Sequence, residues 1–518
     1  MTPPQVESQQ QWFKGSRAPA CEEYTSYASR KHEPLSKGPL KLSYMRPPQQ
    51  CRTFTSTAVE KLIEHFRVKM KDPDLFRIFE NALPNTSDTT ILWFDENDEG
   101  SPKTFISTGD IHAEWLRDSA RQLSVYQKLI PQDPKLGKMI KGAILQQAEY
   151  INIAPYCNAF QPPKKSKVSR KASSIDNVTP VPPWGSVFEC KYELDSLASF
   201  LTLTNEYLVN SKDYRLLEDT NVEDALRTIA KISKRESSPT FSEDGRVLQF
   251  FYSFRRNTNI GSETLPLGGT GNPVNFNSGL VRSAFRPSDD ACIYQYFIPA
   301  NAQLLVELKK LIPLLQKHND PSIANAKLST IFQTYADKIA KGIEEHAIVD
   351  HKLFGQVYAY EIDGYGGVNF MDDANIPSLL SLPDMGFGTI DDPVYQNTRK
   401  MILSKVGNPY FLNGKYSQGV GGPHVGLFHA WPMSLLVQIR TSDDDEEITE
   451  LLDMIKNTTA GLGLMHEGVN VNAPSGKSYT RPWFSWCNSE FGKTISDLAE
   501  RKPWLIFSEE KSTLHKSL

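Results

Sequence analysis

The residues best suited to chemistry are two adjacent acid pairs and a lone glutamate. Asp289 and Asp290 stand in "RPSDDAC", Asp372 and Asp373 in "MDDAN", and Glu467 in "MHEG". Each pair reads as the first turn of a helix, with Ser288 placed to cap the first one. Plain capping explains an isolated Ser-Asp-Asp, but two such pairs in similar settings invite more. One alternative is a divalent metal on an aspartate-rich helix, as in magnesium-dependent diphosphate chemistry. The acid three positions beyond each pair is missing, since Cys292 and Asn375 stand there. The other alternative is one catalytic carboxyl. A helix N-terminus lowers a carboxyl pKa, whereas a general acid needs it raised, so a neighbouring carboxylate or an apolar wall must outweigh the dipole. Arg286 is the expected partner of whichever aspartate stays ionised. His466 and Glu467 precede a Gly/Asn/Pro-rich loop, followed by Arg481, Trp483, Phe484 and Trp486. Those rings either hold the flat face of a sugar or belong to the core.

A third cluster is "GDIHAEWLRDSARQ", residues 109–122. The spacing of Trp115 and Leu116 with Ser119 and Ala120 turns one side of a helix inward. Asp110 lies before that helix, and Arg117 and Asp118 flank its packed side. These three are expected to face a pocket, whereas Glu114 and Arg121 read as surface charges. In "GVGGPHVGLFHAWP", His424 and His429 read as structural or substrate-contacting rather than zinc ligands. Other chemistries lack their signatures. There is no HExxH, no GxSxG elbow, no phosphate-binding glycine loop and no CxxC.

The elements that must position these residues are mostly helical. "STAVEKLIEHFRVKM" opens on Ser56 or Thr57 as a cap and then spaces Val59, Leu62, Ile63 and Phe66 at helical intervals. "YELDSLASFLTLTNEYL", "NAQLLVELKKLIPLL" and "DDDEEITELLDMI" repeat that texture, and roughly a dozen such segments occur. Strand signals are short, at 246–254 and 355–366. The reading is an all-α chain: a toroid of helical hairpins with long decorated loops and a few β-hairpins. Residues 1–55 are expected to form an extended arm, 56–505 a single domain and 506–518 a tail. Residues 161–183, basic and rich in Ser and Pro, read as a mobile loop insertion. Each chemistry-bearing segment passes from loop-type residues into a helical pattern, where backbone is free to shape a pocket.

With 57 Lys and Arg against 61 Asp and Glu, the net charge is -4 and no basic block dominates, so nucleic acid is not the expected partner. No apolar run is long enough to span a membrane. Residues 1–20 lack an apolar signal-peptide core, so the chain is read as intracellular, or as secreted with a signal removed before residue 1. Among six cysteines, Cys21–Cys51 and Cys157–Cys190 each flank a loop-like segment and are the pairs to test. Sequons stand at Asn85, Asn177 and Asn457.

Taken together, "STGDIHAEWLRDSA", "GNPVN", "FRPSDDA", "MDDANIPSLLSLP", "GGPH", and "MHE" followed by "YTRPWFSWCNSEFG" resemble glycoside hydrolase family 125 in its fungal branch. These are exo-acting α-1,6-mannosidases, and the resemblance runs from about residue 55 to about residue 500. "YELDSL" (192–197) also looks familial. The resemblance implies an (α/α)6 toroid that removes a terminal α-1,6-linked mannose with inversion, without metal or cofactor, from an α-mannoside oligosaccharide. By motif position the general acid falls on Asp290 or Asp289, with Asp290 favoured, and the general base on Glu467. Asp110, Trp115, Arg117, Asp118, Arg286, Asp372, Asp373, Asn375, His424, His466 and Arg481 are then expected to hold mannose hydroxyls or orient the acids. The arm and the 161–183 insertion depart from the shorter bacterial members and leave the preferred substrate length open. A mannose-binding protein without activity, a phosphorylase, or a toroid with another linkage preference are the competing readings.

Overall fold

The computed structural model describes residues 21–98, 100–317 and 323–508. Twelve helices alternate between an outer and an inner ring. The outer ring holds α1 (Pro73–Ala82), α3 (Pro134–Ile153), α5 (Thr220–Glu236), α7 (Ile323–Gly342), α9 (Pro393–Ile402) and α11 (Asp445–Lys456). The inner ring holds α2 (Leu116–Ser124), α4 (Leu194–Ser211), α6 (Ile298–Lys317), α8 (Leu382–Met385), α10 (Pro432–Arg440) and α12 (Ser485–Arg501). Around the inner ring α2 packs on α4, α4 on α6 and α6 on α8, while α10 packs on α12 and α12 returns to α2. Arg440 of α10 reaches Asp384 of α8 at 2.9 Å and closes the circle. The chain is thus all-α in its frame, an (α/α)6 toroid.

The two rings start differently, and the sequence says why. The outer helices α1, α3, α5, α9 and α11 open on Asp72, Asp133, Asp219, Asp392 and Asp444, whose side chains accept backbone N–H groups of the first turn. Such caps satisfy donors that the helix leaves unpaired. The inner helices α2, α4, α8, α10 and α12 follow Trp115, Glu193, Ser381, Trp431 and Phe484, none of which makes a capping side-chain bond. Their entry residues are free for other work. The inner helices are also buried nearly all round, since each lies between two neighbours and the outer ring. Leu194, Leu197, Leu201 and Leu208 of α4 are buried, and so are Ser196, Ser199 and Thr204 between them.

Short strands brace the entry ends. β1 (Glu114–Trp115), β2 (Ala159–Phe160) and β3 (Val187–Glu189) form one antiparallel sheet, pairing Trp115 with Ala159 and Ala159 with Glu189. β4 (Tyr296–Phe297), β5 (Glu361–Ile362) and β6 (Val368–Asn369) form a second. β7 (His429–Ala430) pairs with β8 (Val469–Asn470) just before α10. The strand expected over 246–254 shrinks to Ser253–Arg255, which pairs with Asn177–Thr179.

Further contacts accompany that pairing across 161–183. The Gln161 side chain donates to the Lys171 carbonyl, Ser173 donates to the Trp184 and Val187 carbonyls, and Asp176 pairs with Arg256 at 2.8 Å. Within the arm, the helix Tyr24–Ala28 packs Tyr24 edge-on against Trp483 at 4.8 Å. Residues 1–20 of the expected arm and residues 509–518 of the tail lie outside the described residues. Disulfides join Cys21 to Cys51 and Cys157 to Cys190, and Cys292 and Cys487 remain free and buried. Asn85 is 1% exposed and accepts from Asn488, so its sequon is sealed, whereas Asn177 and Asn457 are exposed.

This pattern predicts that alkylation of the denatured, unreduced protein labels the two thiols of Cys292 and Cys487, and that prior reduction exposes six. Replacing Cys157 and Cys190 by serine is expected to cost about 3 kcal/mol, read as a lower Tm, because the unfolded chain regains the entropy of a long open loop.

Candidate active site

The site forms where the entry residues of the inner helices meet loops between the rings. A pocket there encloses about 480 Å³ of free space including its mouth. Asp110, Asp118, Asp289 and Glu467 line it, as do Arg117 and Arg481. Trp115, Trp431, Phe484 and Trp486 supply apolar walls, and Asn375 and His424 supply further polar groups.

Asp289 reaches the pocket through a backbone device that the sequence reading mistook for a helix start. Residues 285–291 form a tight hairpin rather than a Ser288-capped helix. Phe285 bridges Ala291, Asp289 N donates to the Arg286 carbonyl at 2.9 Å, and Arg286 N donates to the Asp290 carbonyl at 2.8 Å. Pro287 sits at the second turn position, where its fixed φ belongs. Asp289 closes the turn at φ 66°. Asp tolerates this left-handed conformation better than most residues, yet it still costs energy there. No helix dipole therefore acts on the pair, and the expected conflict between dipole and acid role disappears. Asp289 lines the pocket, whereas Asp290 is 2% exposed and lies behind the wall, 3.9 Å from His424 Nδ1.

Arg117 organises this side of the pocket. From the first turn of α2 it pairs with Glu193 at 2.7 Å and Asp118 at 3.0 Å, and stands 3.7 Å from both Asp195 and Asp289. Its guanidinium also lies 5.5 Å above the Trp486 ring. Four carboxyls around one cation, nearly all out of water, cannot all remain ionised. Burial pushes Asp118 up to about 6 and Asp195 up to about 7, against the pull of Arg117. Burial also carries Glu193 well above the usual range. Asp289 moves the other way: burial raises it, but Arg117 and Lys191 outweigh that and hold it below the ordinary carboxylate range.

Glu467 stands on the opposite segment. Its Oε2 accepts from Thr480 Oγ1 at 2.8 Å and lies 3.3 Å from Arg481 Nε. Arg481 Nη1 donates to Asp110 at 2.5 Å, so one guanidinium spans both carboxylates. A carboxylate held by a hydroxyl and an arginine, facing a wet pocket, is suited to accept a proton from water.

Several expected sugar contacts stand behind the wall instead. Arg286 does not partner either aspartate; it pairs with buried Glu361 at 2.6 Å. Asp372 is not in a helical first turn: its oxygens accept the backbone N–H groups of Leu379 (2.8 Å) and Leu380 (3.0 Å), and burial pushes its carboxyl up to about 8. Asp373 accepts from the backbone and side chain of Asn375, at 3.0 and 2.8 Å, and so aims the residue that does line the pocket. His466 is fully buried, stacks on Tyr479 at 4.0 Å and contacts the Arg481 carbonyl; burial lowers its imidazole to about 4 and keeps it neutral. Trp483 packs on the arm rather than lining the pocket.

The surface reading of Glu114 and Arg121 also fails. Glu114 is fully buried, accepting from Ile106 N and Ser119 Oγ at 3.2 Å each. Arg121 is paired with Glu490 at 2.7 Å. Two further residues at the site were not expected: Trp431 lines the pocket, and Glu193 pairs with Arg117 behind it. Trp431 precedes α10 in a segment already marked by its glycines and histidines. Glu193 sits in "YELDSL", a segment marked by its family likeness and by an acid just before a long apolar helix.

The family model of metal-independent α-mannosidases (GH125) matches residues 72–496. The meiotically up-regulated gene 157 protein of Schizosaccharomyces pombe is 54% identical over 489 residues, covering 94% of each chain. A solved metal-independent α-mannosidase of Streptococcus pneumoniae, held in a non-productive complex with α-1,6-mannobiose, is 31% identical. The match covers 86% of this chain and 99% of that one, with a TM-score of 0.77.

Glu114 yields a prediction. Burial raises its carboxyl to about 8, so the folded protein holds a proton that the unfolded chain releases near pH 4.5. The stability it contributes is complete below pH 4.5 and is lost as pH rises through about 8. Glu114→Gln removes this term. Its Tm is expected to fall less than the native protein's between pH 5 and about pH 8; parallel curves would show that Glu114 is ionised in the fold.

Proposed function

The chain belongs to glycoside hydrolase family 125, the metal-independent α-mannosidases, and on that premise we propose how it acts: as an exo-enzyme that releases terminal α-1,6-linked mannose with inversion. The observation that carries this reading is the presence of Asp289 and Glu467 in one walled pocket, one beside buried cations and the other beside Thr480 and Arg481. In inversion, an acid protonates the departing oxygen from one side while a base draws a proton from water on the other. Asp289 takes the acid role because it lines the pocket and Asp290 does not. Glu467 takes the base role. As the C1–O bond breaks, Asp289 delivers a proton to the leaving oxygen. The water oxygen bonds to C1 from the opposite face and its proton passes to Glu467. An α-mannoside thus gives β-mannose first, and both carboxyls return to their starting states by exchange with water.

The apolar walls and the Asp110–Arg481 clamp support recognition of a chain terminus, since a closed pocket meets hydroxyls with fixed donors and acceptors. The α-1,6 preference rests on the mannobiose bound by the streptococcal relative. The two disulfides support a secretory location, because such bonds persist in oxidising compartments.

Proton NMR of α-1,6-mannobiose hydrolysis tests the reading in one experiment. β-mannose is expected as the first product; initial α-mannose would contradict it. Glu467→Gln and Asp289→Asn are each expected to lower kcat by about 10²–10⁴ with a native Tm, and Asp290→Asn by far less. α-1,2- and α-1,3-linked disaccharides should be poor substrates, added phosphate should not be consumed, and a chelator should leave the rate unchanged.

A further inference from the structure

Glu193 makes no contact with the pocket, yet it is the residue most closely tied to the one that does. It ends the segment after β3 and enters α4 without capping it. One Asn158 amide nitrogen lies 3.1 Å from Glu193 Oε1 and 3.1 Å from Asp289 Oδ1. Arg117 offers Nη1 to Glu193 at 2.7 Å and turns Nη2 toward Asp289. Ser196 Oγ adds a third donor to Glu193 at 2.8 Å. Two carboxyls share two donors, one fully sealed and the other open to substrate. We propose that Glu193 is a positioning residue that holds the proton which Asp289 delivers to the leaving oxygen.

This rests on the assignment of Asp289 as the acid. The charges around Asp289 create the need. Lys191 follows β3, Arg117 comes from α2, and His424 faces Asp289 from the loop before β7, so an isolated Asp289 would stay ionised and could donate nothing. Around Glu193 the balance is reversed. Arg117 and Lys191 are its adjacent cations, against Asp195, Asp289, Glu189 and Asp118 around the same patch. The proton therefore rests on Glu193, whose hydroxyl donates to Asp289. The proton passes from Glu193 to Asp289, and Asp289 then delivers it to the leaving oxygen as the glycosidic bond breaks, which leaves Glu193 ionised. Water restores the Glu193 proton between turnovers, and no other reactant is needed.

The test uses two substrates on the full chain. α-1,6-Mannobiose needs its leaving group protonated, whereas α-mannosyl fluoride does not. Asp289→Asn should lose mannobiose hydrolysis and keep fluoride hydrolysis within about tenfold; loss of both overturns the acid assignment itself. Glu193→Gln keeps the shape and the hydrogen bonds but has no proton to pass. It should lower kcat on mannobiose by about 10–100-fold, leave KM and fluoride hydrolysis nearly unchanged, and move the alkaline limb of kcat/KM to lower pH by about one unit or more. Equal losses on both substrates, or an unmoved limb, would reduce Glu193 to a counter-ion for Arg117 and overturn the proposal. If Glu193→Gln does not fold, Asn158→Ala carries the test. It removes a donor that stabilises the Asp289 carboxylate, so the alkaline limb should move to higher pH, and an unmoved limb overturns the proposal.

Discussion

The buried guanidinium of Arg117 sets the terms for everything around the pocket. It arrives from α2, Glu193 and Asp195 from the start of α4, and Asp289 from a hairpin far along the chain. A charge this deep is tolerable only when it is paired and fully hydrogen-bonded, and removing one partner from such a group is costly. The fold therefore has to bring these segments together to within about an ångström before the interior is electrostatically sound. The same requirement leaves a surplus of carboxyls over cations, so protons remain on the cluster at neutral pH. Structural charge balance and acid chemistry are here one problem.

The toroid solves the positioning. Outer helices spend their aspartates on caps, whereas inner helices open on Trp115, Glu193, Trp431 and Phe484, which look toward the site or its supports. Below them a second charged layer fixes the ring. Glu490 holds Trp486 Nε1 at 3.1 Å and Arg121 at 2.7 Å, and Arg440 joins Glu490 to Asp384. The tryptophan that carries Arg117 on its face is thus tied to the helix packing beneath it. On the base side buried His466 stacks on Tyr479 and contacts the Arg481 carbonyl, beside the segments that present Glu467 and Arg481.

The helices were legible because their apolar periodicity is local, and so were the capped starts at Ser56 and at the acids of "DDDEEITELLDMI". The five chemistry-bearing segments were legible too, because glycine, aromatic and charged residues crowd at loop–helix junctions that a core would not need. What failed was the direction of individual side chains. Glu114 and Arg121 carry ordinary surface chemistry and lie in the interior, since their partners Ile106 and Glu490 come from other segments. "RPSDDA" reads locally as a capped helix, and the Phe285–Ala291 bridge makes it a hairpin instead.

The sequence by itself determined the helical frame, the acids available for catalysis, and through its motifs the family. It did so because periodicity, capping and motif spacing are properties of neighbouring residues. Which aspartate of a pair faces the pocket, which arginine neutralises it and which acids stay protonated were decided by tertiary structure alone. Those properties depend on distances of a few ångströms between segments far apart in the chain, and on the loss of water when they meet.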